Sequence, residues 1–182
     1  SMKFSDRLAK LSPYPFVEIS RIIAEKRAAG VDVVTFGIGD PDIELNKVDP
    51  SRLTPFIREA EAWEFPIALL HCYPFHRQAG LMAENFPYVY FDVGFVQNWS
   101  GPSYQRIMDE ALELVPFTKQ LYSSDAFGLS ELYYLGALRF RTSIGRALGR
   151  WIEDDELPPG EAERIVDLIG RSNARRIYPL GP

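Results

Sequence analysis

The stretch FPIALLHCYPFHRQAGLMAENFPYVYFDVGF, residues 65–95, decides the fold class. It opens on an apolar run of about five residues, which is too short for a helix and typical of a strand buried on both faces. A short helical segment, RQAGLMAENFP, follows, and a second β-rich run, YVYFDVGF, ends the stretch. A strand, a helix and a strand in succession predict a right-handed crossover between parallel neighbours.

The same alternation extends in both directions along the chain. Upstream we predict a helix that ends at Gly30, a strand in VDVVTFGIG, and a helix over DPSRLTPFIREAEAWE that Asp49 caps and Pro50 begins. Downstream we predict a helix over GPSYQRIMDEALELVP, a fourth strand in KQLYSSDAFG, and helices over LSELYYLGALRFRTSIGRALGRWIEDD, EAERIVDLIG and RSNARRIYPL. This order predicts an α/β fold with four parallel strands and alternating helices. It is half of a (β/α)8 TIM barrel, or nearly enough for a small open three-layer sheet.

Composition limits the class of protein. The chain has 182 residues, of which 46% are hydrophobic and 25% charged, as expected for a single globular domain over residues 1–182. The net charge of −5 and the scattered basic residues argue against a nucleic-acid partner. The one cysteine, Cys72, excludes an internal disulfide and favours a cytoplasmic location. No signal peptide and no apolar run of roughly 18 residues is evident, so we expect no membrane partner.

Candidate site residues lie at the carboxyl ends of the predicted strands, where α/β folds place their sites. The polar residues there are Thr35, Asp40, Asp42, His71, Cys72, His76, Asp92, Asn98, Ser123, Ser124 and Asp125. A histidine and an aspartate from different strands can converge on zinc or a water molecule. Each has a structural alternative: a lone histidine is often only hydrogen-bonded, and Asp125 could cap the next helix. Asp40 and Asp42 could be turn residues.

Three aromatic residues and an acidic run have simpler interpretations. Tyr133, Tyr134 and Phe140 lie at helical spacings, which favours a place in the core over stacking on a cofactor. The acidic run at residues 153–156 is typical of a solvated helix end.

Four motifs, LLHCYPFHRQAG, YVYFDVGF, LYSSDAFGLSELYYLGAL and IGRSNARRIYPL, carry a resemblance over residues 43–180. They resemble, in order, the carboxyl half of the amidohydrolase family associated with glutamine-synthetase-like proteins, a group of metal-dependent (β/α)8 hydrolases. The resemblance implies that the four strands are the fifth to eighth of a barrel. His71 then matches the histidine that ends strand six. Asp125 matches the aspartate that ends strand eight, usually a metal ligand and the proton acceptor for the attacking water.

Residues 2–42 resemble a different family. The segment MKFSDRLAKLSPYPFVEISRIIAEKRAAGVDVVTFGIGDPD is similar to the amino terminus of fold-type I, PLP-dependent aminotransferases near the diaminopimelate branch. That family's cofactor lysine lies far downstream, so we expect no PLP. The amidohydrolases have a similar glycine-any-glycine-Asp-Pro-Asp loop after their fifth strand. The two resemblances therefore overlap at GIGDPD and imply a chimera joined there.

The resemblance implies an incomplete metal site. The amidohydrolases' first four strands, with their His-any-His metal pair, have no counterpart here, and the strand-five histidine falls on Thr35. Only His71 and Asp125 remain as candidate metal and catalytic residues, so we expect a recombined or engineered half barrel without native catalysis and without a bound cofactor. The alternative is a metal-dependent hydrolase of C–N bonds with zinc in a site completed across a dimer. A third possibility is a carboxylate- or phosphate-binding loop in GIGDPD.

The predicted half barrel has an assembly problem. Four parallel strands leave two open edges and an exposed inner face. A symmetric homodimer of half barrels would cover both. A monomer whose open sheet is plugged by the amino-terminal helix is the alternative.

Overall fold

The computed structural model describes the backbone of residues 15–30 and 49–178, and the side chains of residues 21–30 and 49–178. The chain divides into two compact units, residues 1–43 and residues 44–182. The predicted division into a segment over residues 2–42 and a half barrel over residues 43–180 stays a prediction.

In the first unit, α1 spans Pro15–Ala28. The turn after it ends at Gly30, whose φ of +77° lies in the left-handed region that glycine adopts without steric penalty. The sequence prediction of this helix is therefore confirmed. The predicted strand in VDVVTFGIG lies outside the described residues, and so do Thr35, Asp40 and Asp42.

The predicted helix after Asp49 is confirmed, although it forms in three pieces. Short 3-10 turns at Pro50–Leu53 and Glu61–Trp63 flank α2, Thr54–Ala60. The Asp49 carboxylate accepts the Ser51 N–H at 2.9 Å, as a capping residue should. The first turn is tighter than α because Pro55 has no N–H to donate to the Ser51 carbonyl four residues earlier. That carbonyl accepts from the Thr54 N–H and hydroxyl instead.

The stretch at residues 65–95 folds as predicted, with one difference. It forms β1, Ile67–Leu69, then α3, His76–Asn85, then β2, Val89–Phe91. The two strands pair in parallel, with Leu69 opposite Phe91. The first strand is not buried on both faces: Ile67 is half-buried and the following Leu70 is 48% exposed.

The prediction of a fourth strand in KQLYSSDAFG is wrong. Within residues 49–178 the sheet has two strands, and this segment adds only a single bridge between Phe91 and Gln120. The Leu121 N–H still reaches the Phe91 carbonyl at 2.8 Å, but the Tyr122 N–H turns away to the carbonyl of Ile169 at 3.0 Å. Pairing therefore ends after one residue, and the described residues form a mixed α/β fold rather than a four-stranded half barrel.

Helices make up most of the remaining chain. They are α4, Val96–Trp99, α5, Tyr104–Ala111, α6, Ser130–Glu153, α7, Pro159–Asp167, and α8, Asn173–Ile177. A π-helical turn, Leu168–Ser172, joins the last two. The helix predictions from periodicity are confirmed, whereas α4 was not predicted, because four residues are too few to show a period.

Two apolar clusters form the core of the second unit, and α5 lies between them. Ile107 and Ala111 face the cluster beneath the sheet, which includes Phe91. Met108 and Leu112 face the cluster between α6 and α7. Each pair is four residues apart, so one helix presents two apolar faces in different directions.

The aromatic residues of α6 depart from the prediction. Phe140 is buried, as expected, and packs against Tyr122 with ring centroids 4.4 Å apart. Tyr133 and Tyr134 are 57% and 71% exposed, so their predicted core position is wrong. The acidic run at residues 153–156 is exposed, as predicted.

An ion-pair network that runs from buried His76 to exposed Arg106 ties α3 to α5. His76 is 3% exposed, and its Nε2 lies 2.7 Å from Glu110 Oε2, while Arg106 binds Glu110 Oε1 at 2.6 Å. Burial alone would raise the pKa of Glu110, but the hydrogen bonds from Arg106 and His76 prevail and lower it. A lowered carboxylate pKa means that the pair stabilises the fold above the unfolded-state value and loses this contribution as pH falls through the folded-state value.

We therefore expect Glu110→Gln to reduce the free energy of unfolding by about 1–2 kcal/mol at neutral pH. The difference from the wild type should shrink below the usual glutamate pKa and disappear below the lowered folded-state pKa of Glu110, where the wild-type side chain is neutral too. Urea unfolding at several pH values measures it. Glu113→Gln is the control, because its pair with Arg77 is largely exposed. An equal loss in both variants, or a Glu110→Gln loss that persists in acid, would contradict the assignment.

None of the helices in the described part of the chain has the length and apolar character needed to cross a bilayer.

Candidate active site

His71 follows β1 closely at its carboxyl end. Its φ of +54° is in the left-handed region, which residues with a Cβ seldom occupy. Its N–H donates to Asp92 Oδ1 at 3.2 Å. β1 and the Asp92 carboxylate thus fix the backbone position from which the His71 side chain extends.

Asp125 lies in the loop between the single bridge at Gln120 and α6. Its own N–H donates to Ser123 Oγ at 3.1 Å, and the Ala126 N–H donates to Ser124 Oγ at 3.3 Å. These local bonds stand where strand pairing would otherwise be, and Asp125 has a φ of +44°. The first residue of α6 is Ser130, so the alternative of Asp125 as the cap of that helix is wrong.

The structure brings His71 and Asp125 together. His71 Nδ1 lies 3.4 Å from Asp125 Oδ2, and each side chain is 44% exposed. A solvent-accessible carboxylate next to an imidazole can accept a proton from a bound water molecule or share a cation with the ring. Their roles as metal ligands and catalytic residues remain predictions.

Asp92, which directly follows β2, is a second acidic residue beside His71. The sequence marked it as a polar strand end but gave it no role in the site. Its side chain is 1% exposed. Burial raises the pKa of Asp92 to about 6. The charge of Asp125 also raises this pKa, whereas the hydrogen bond from the His71 N–H and the His71 ring lower it. Its position directly after the apolar run of β2 was a visible signal, but many acidic residues follow strands without a role.

Cys72 is next to His71 but is not a candidate nucleophile. Burial, and secondarily the charge of Asp92, raise the pKa of the Cys72 thiol to about 12. The thiolate is the reactive form, so a raised thiol pKa argues against Cys72 as a nucleophile at neutral pH.

Side chains from α4 and α6 support the Asp125 loop. Asn98 donates from Nδ2 to the Ser124 carbonyl at 3.1 Å. A Cβ on Gly136 would lie 2.8 Å from Ser124 Cβ, so only glycine lets α6 approach the loop so closely. Arg139 donates to the carbonyls of Gln97 and Asn98 at 2.5 and 2.8 Å and so fixes the end of α4 against α6. No sequence pattern marks these contacts.

The described residues alone do not fit a catalytic metal. His71 and Asp125 are suitable donors, but catalytic zinc usually has three protein ligands. Within residues 15–30 and 49–178, no group of three or more His, Cys, Asp or Glu side chains is arranged to hold a metal ion. Any further ligand would have to come from residues outside this part of the chain or from another molecule.

Fold and site together indicate the class of protein. The amidohydrolase family pattern matches residues 4–180, so the chain belongs to the amidohydrolase family. The chain is also similar to a solved structure from Lactobacillus casei ATCC 334 described as a metal-dependent hydrolase. The TM-score is 0.70 and the identity 26%, over 88% of this chain and 43% of that one.

Two curated relatives match different parts of the chain. Protein fluG of Emericella nidulans is 33% identical over 146 residues, which are 79% of this chain and 17% of that protein. The LL-diaminopimelate aminotransferase of Dehalococcoides mccartyi strain BAV1 is 59% identical over 46 residues, or 25% of this chain and 12% of the enzyme. The chain thus spans less than a fifth of each curated relative.

These findings confirm the predicted family but do not establish a chimera. The family match starts at residue 4 and includes most of the segment that resembles an aminotransferase. The aminotransferase similarity is short, and a partial match of this length does not show a fusion. The hydrolase class is therefore supported, and the junction at GIGDPD stays a prediction.

Proposed function

We propose that this chain contributes half of the active site of a metal-dependent hydrolase that cleaves C–N bonds, and that a second copy of the chain completes the site. The observation that carries the proposal is the 3.4 Å approach of His71 Nδ1 to Asp125 Oδ2 at the carboxyl end of the sheet. Asp125 would accept the proton of the attacking water, while His71 supplies a second donor beside it. A zinc ion, once bound, lowers the pKa of water and polarises a carbonyl group.

The surroundings of Asp125 support completion by another copy. The segment that follows it exposes large apolar side chains: Phe127 is 60%, Leu129 60% and Tyr134 71% exposed. Exposed apolar side chains close together in the chain are typical of a surface that a partner covers. A homodimer would bring two copies of His71 and Asp125 to the same assembly.

The test combines mass and metal content. We expect light scattering to give a mass near twice 20.7 kDa, and zinc to remain bound through gel filtration. His71→Ala and Asp125→Asn should each abolish zinc retention, whereas Asp154→Asn, an exposed control at the end of α6, should not. A mass near 20.7 kDa, or zinc retention unchanged in Asp125→Asn, would refute the proposal.

A second candidate is a domain of the same family without catalysis. The observation that favours it is the donor set: the described residues offer two ligands where catalytic zinc usually has three. A dimer that retains no zinc and hydrolyses no amide would support this candidate. The proposed anion site in GIGDPD lies outside the described residues.

A further inference from the structure

His71, Asp92 and Gly94 form a contact cluster behind the candidate site. His71 has a φ of +54° and donates its N–H to Asp92 Oδ1 at 3.2 Å. Asp92 is 1% exposed and so has little freedom to move away. A buried acceptor at the end of the next strand therefore holds the His71 backbone in a conformation that its Cβ disfavours.

Gly94 closes the cluster from the other side. Its φ is +46°, and a Cβ at this position would lie 2.6 Å from His71 Nδ1 and 2.8 Å from Asp92 Oδ1. Real Cβ atoms do not approach other atoms so closely. Because Gly94 has no side chain, the Nδ1 edge of the His71 imidazole can occupy the space that a Cβ would take. That same Nδ1 atom faces Asp125 Oδ2.

We infer that Asp92 and Gly94 are positioning residues for His71, which together hold its Nδ1 toward Asp125. Asp92 acts through the His71 backbone, and Gly94 acts by leaving room for the ring. The positioning follows from the contacts themselves, whereas its effect on metal binding rests on the proposed function. Groups that orient a ligand often change metal affinity by about ten- to a hundredfold when they are altered.

The chain offers a direct readout, because it contains two histidines, His71 and His76. Long-range 1H–15N spectra of the metal-free protein at one fixed pH should show one imidazole pattern for each, assigned with His71→Gln and His76→Gln. His76, bound to Glu110, is an internal reference outside the cluster. Gly101→Ala is the matched control, since Gly101 has a φ of +55° but a Cβ there would meet nothing within 4 Å.

We expect Gly94→Ala to shift the His71 nitrogen resonances and leave those of His76 in place, while Gly101→Ala shifts neither. Asp92→Ala should also displace the His71 signals. Asp92→Asn should displace them less than Asp92→Ala does, because its amide oxygen can still accept the N–H although the charge is lost. Unchanged His71 signals in Gly94→Ala, or equal displacement in Asp92→Asn and Asp92→Ala, would overturn the inference.

A zinc titration against a chelator separates this inference from the proposed function. Gly94→Ala should bind zinc at least about tenfold more weakly than the wild type, and Gly101→Ala should match the wild type. If the wild type binds no zinc, the proposed function fails, and the spectra of the metal-free protein still decide the positioning. Equal zinc affinity in Gly94→Ala and wild type would contradict the positioning of a metal ligand.

Discussion

Phe91→Ala is expected to lower the free energy of unfolding by about 3–5 kcal/mol, which is a large share of the stability of a domain of this size. Phe91 is 0% exposed and lies in β2, opposite Leu69 on one side and Gln120 on the other. Its ring fills the cluster beneath the sheet, and alanine would leave a cavity that neighbouring backbone pairings prevent from collapsing. Urea unfolding followed by circular dichroism measures the loss.

Tyr90→Ala is the matched control on the same strand. Tyr90 points to the opposite face and is only half-buried, with Arg176 lying over its ring at 5.9 Å. We expect a loss of about 1 kcal/mol in this variant. If the two substitutions lower the free energy of unfolding equally, the burial of Phe91 is not a main source of the stability of the core.

The helices could be predicted from the sequence because their signal is local. The period over residues 129–155 is long, and the observed α6, Ser130–Glu153, ends within two residues of it. The conformation of KQLYSSDAFG could not be predicted correctly, because its residue types favour a strand whereas its hydrogen bonding depends on residues distant in the chain. Tyr122 donates its N–H to Ile169, forty-seven residues later in the chain, and this contact leaves no mark in the local pattern.

The contacts of the candidate site could be predicted only in part, for a related reason. The resemblance singled out His71 and Asp125, and the structure places Nδ1 and Oδ2 of the two side chains 3.4 Å apart. Asp92 was visible as a polar strand end, but its contact with the His71 N–H depends on the parallel pairing of β1 and β2. Gly94 could not be recognised, since a glycine in a loop looks the same whether a ring or solvent lies beside it.

The exposed tyrosines show a further limit of periodicity. Helical spacing correctly placed Tyr133, Tyr134 and Phe140 on a helix, but it does not say which part of that helix has a neighbour. Phe140 contacts α7 and its π-helical continuation, whereas the first turns of α6 extend beyond them. The error over Tyr133 and Tyr134 thus falls on the part of α6 whose side chains are exposed.

The second large effect is expected at Asn173, the first residue of α8. Asn173 is 0% exposed, and its Nδ2 donates to the carbonyls of Phe117 and Gln120 at 2.7 and 2.8 Å. These two bonds fasten the segment next to β2 against the last helix. Asn173→Leu keeps the volume but leaves the buried Gln120 carbonyl and the half-buried Phe117 carbonyl without this donor, which costs about 2–4 kcal/mol in the free energy of unfolding.

Hydrogen exchange locates this effect, because the Leu121 N–H bonds the Phe91 carbonyl beside the segment that Asn173 holds. Its protection should fall in Asn173→Leu by more than that of amides inside α3. Asn85→Leu is the control: Asn85 also donates Nδ2 to a carbonyl, at 2.7 Å, but on an exposed helix face. We expect that control to stay within about 0.5 kcal/mol of the wild type.

Asn173→Asp distinguishes hydrogen bonding from packing at the same position. The aspartate has the shape of asparagine but presents an acceptor to two carbonyl oxygens, and at neutral pH it also buries a charge. If the two hydrogen bonds are what matters, Asn173→Asp must be at least as destabilising as Asn173→Leu despite its better fit. Moreover, part of its loss should be recovered in mild acid, where the carboxyl group gains a proton to donate. An aspartate variant as stable as the wild type would mean that side-chain shape alone holds α8 in place.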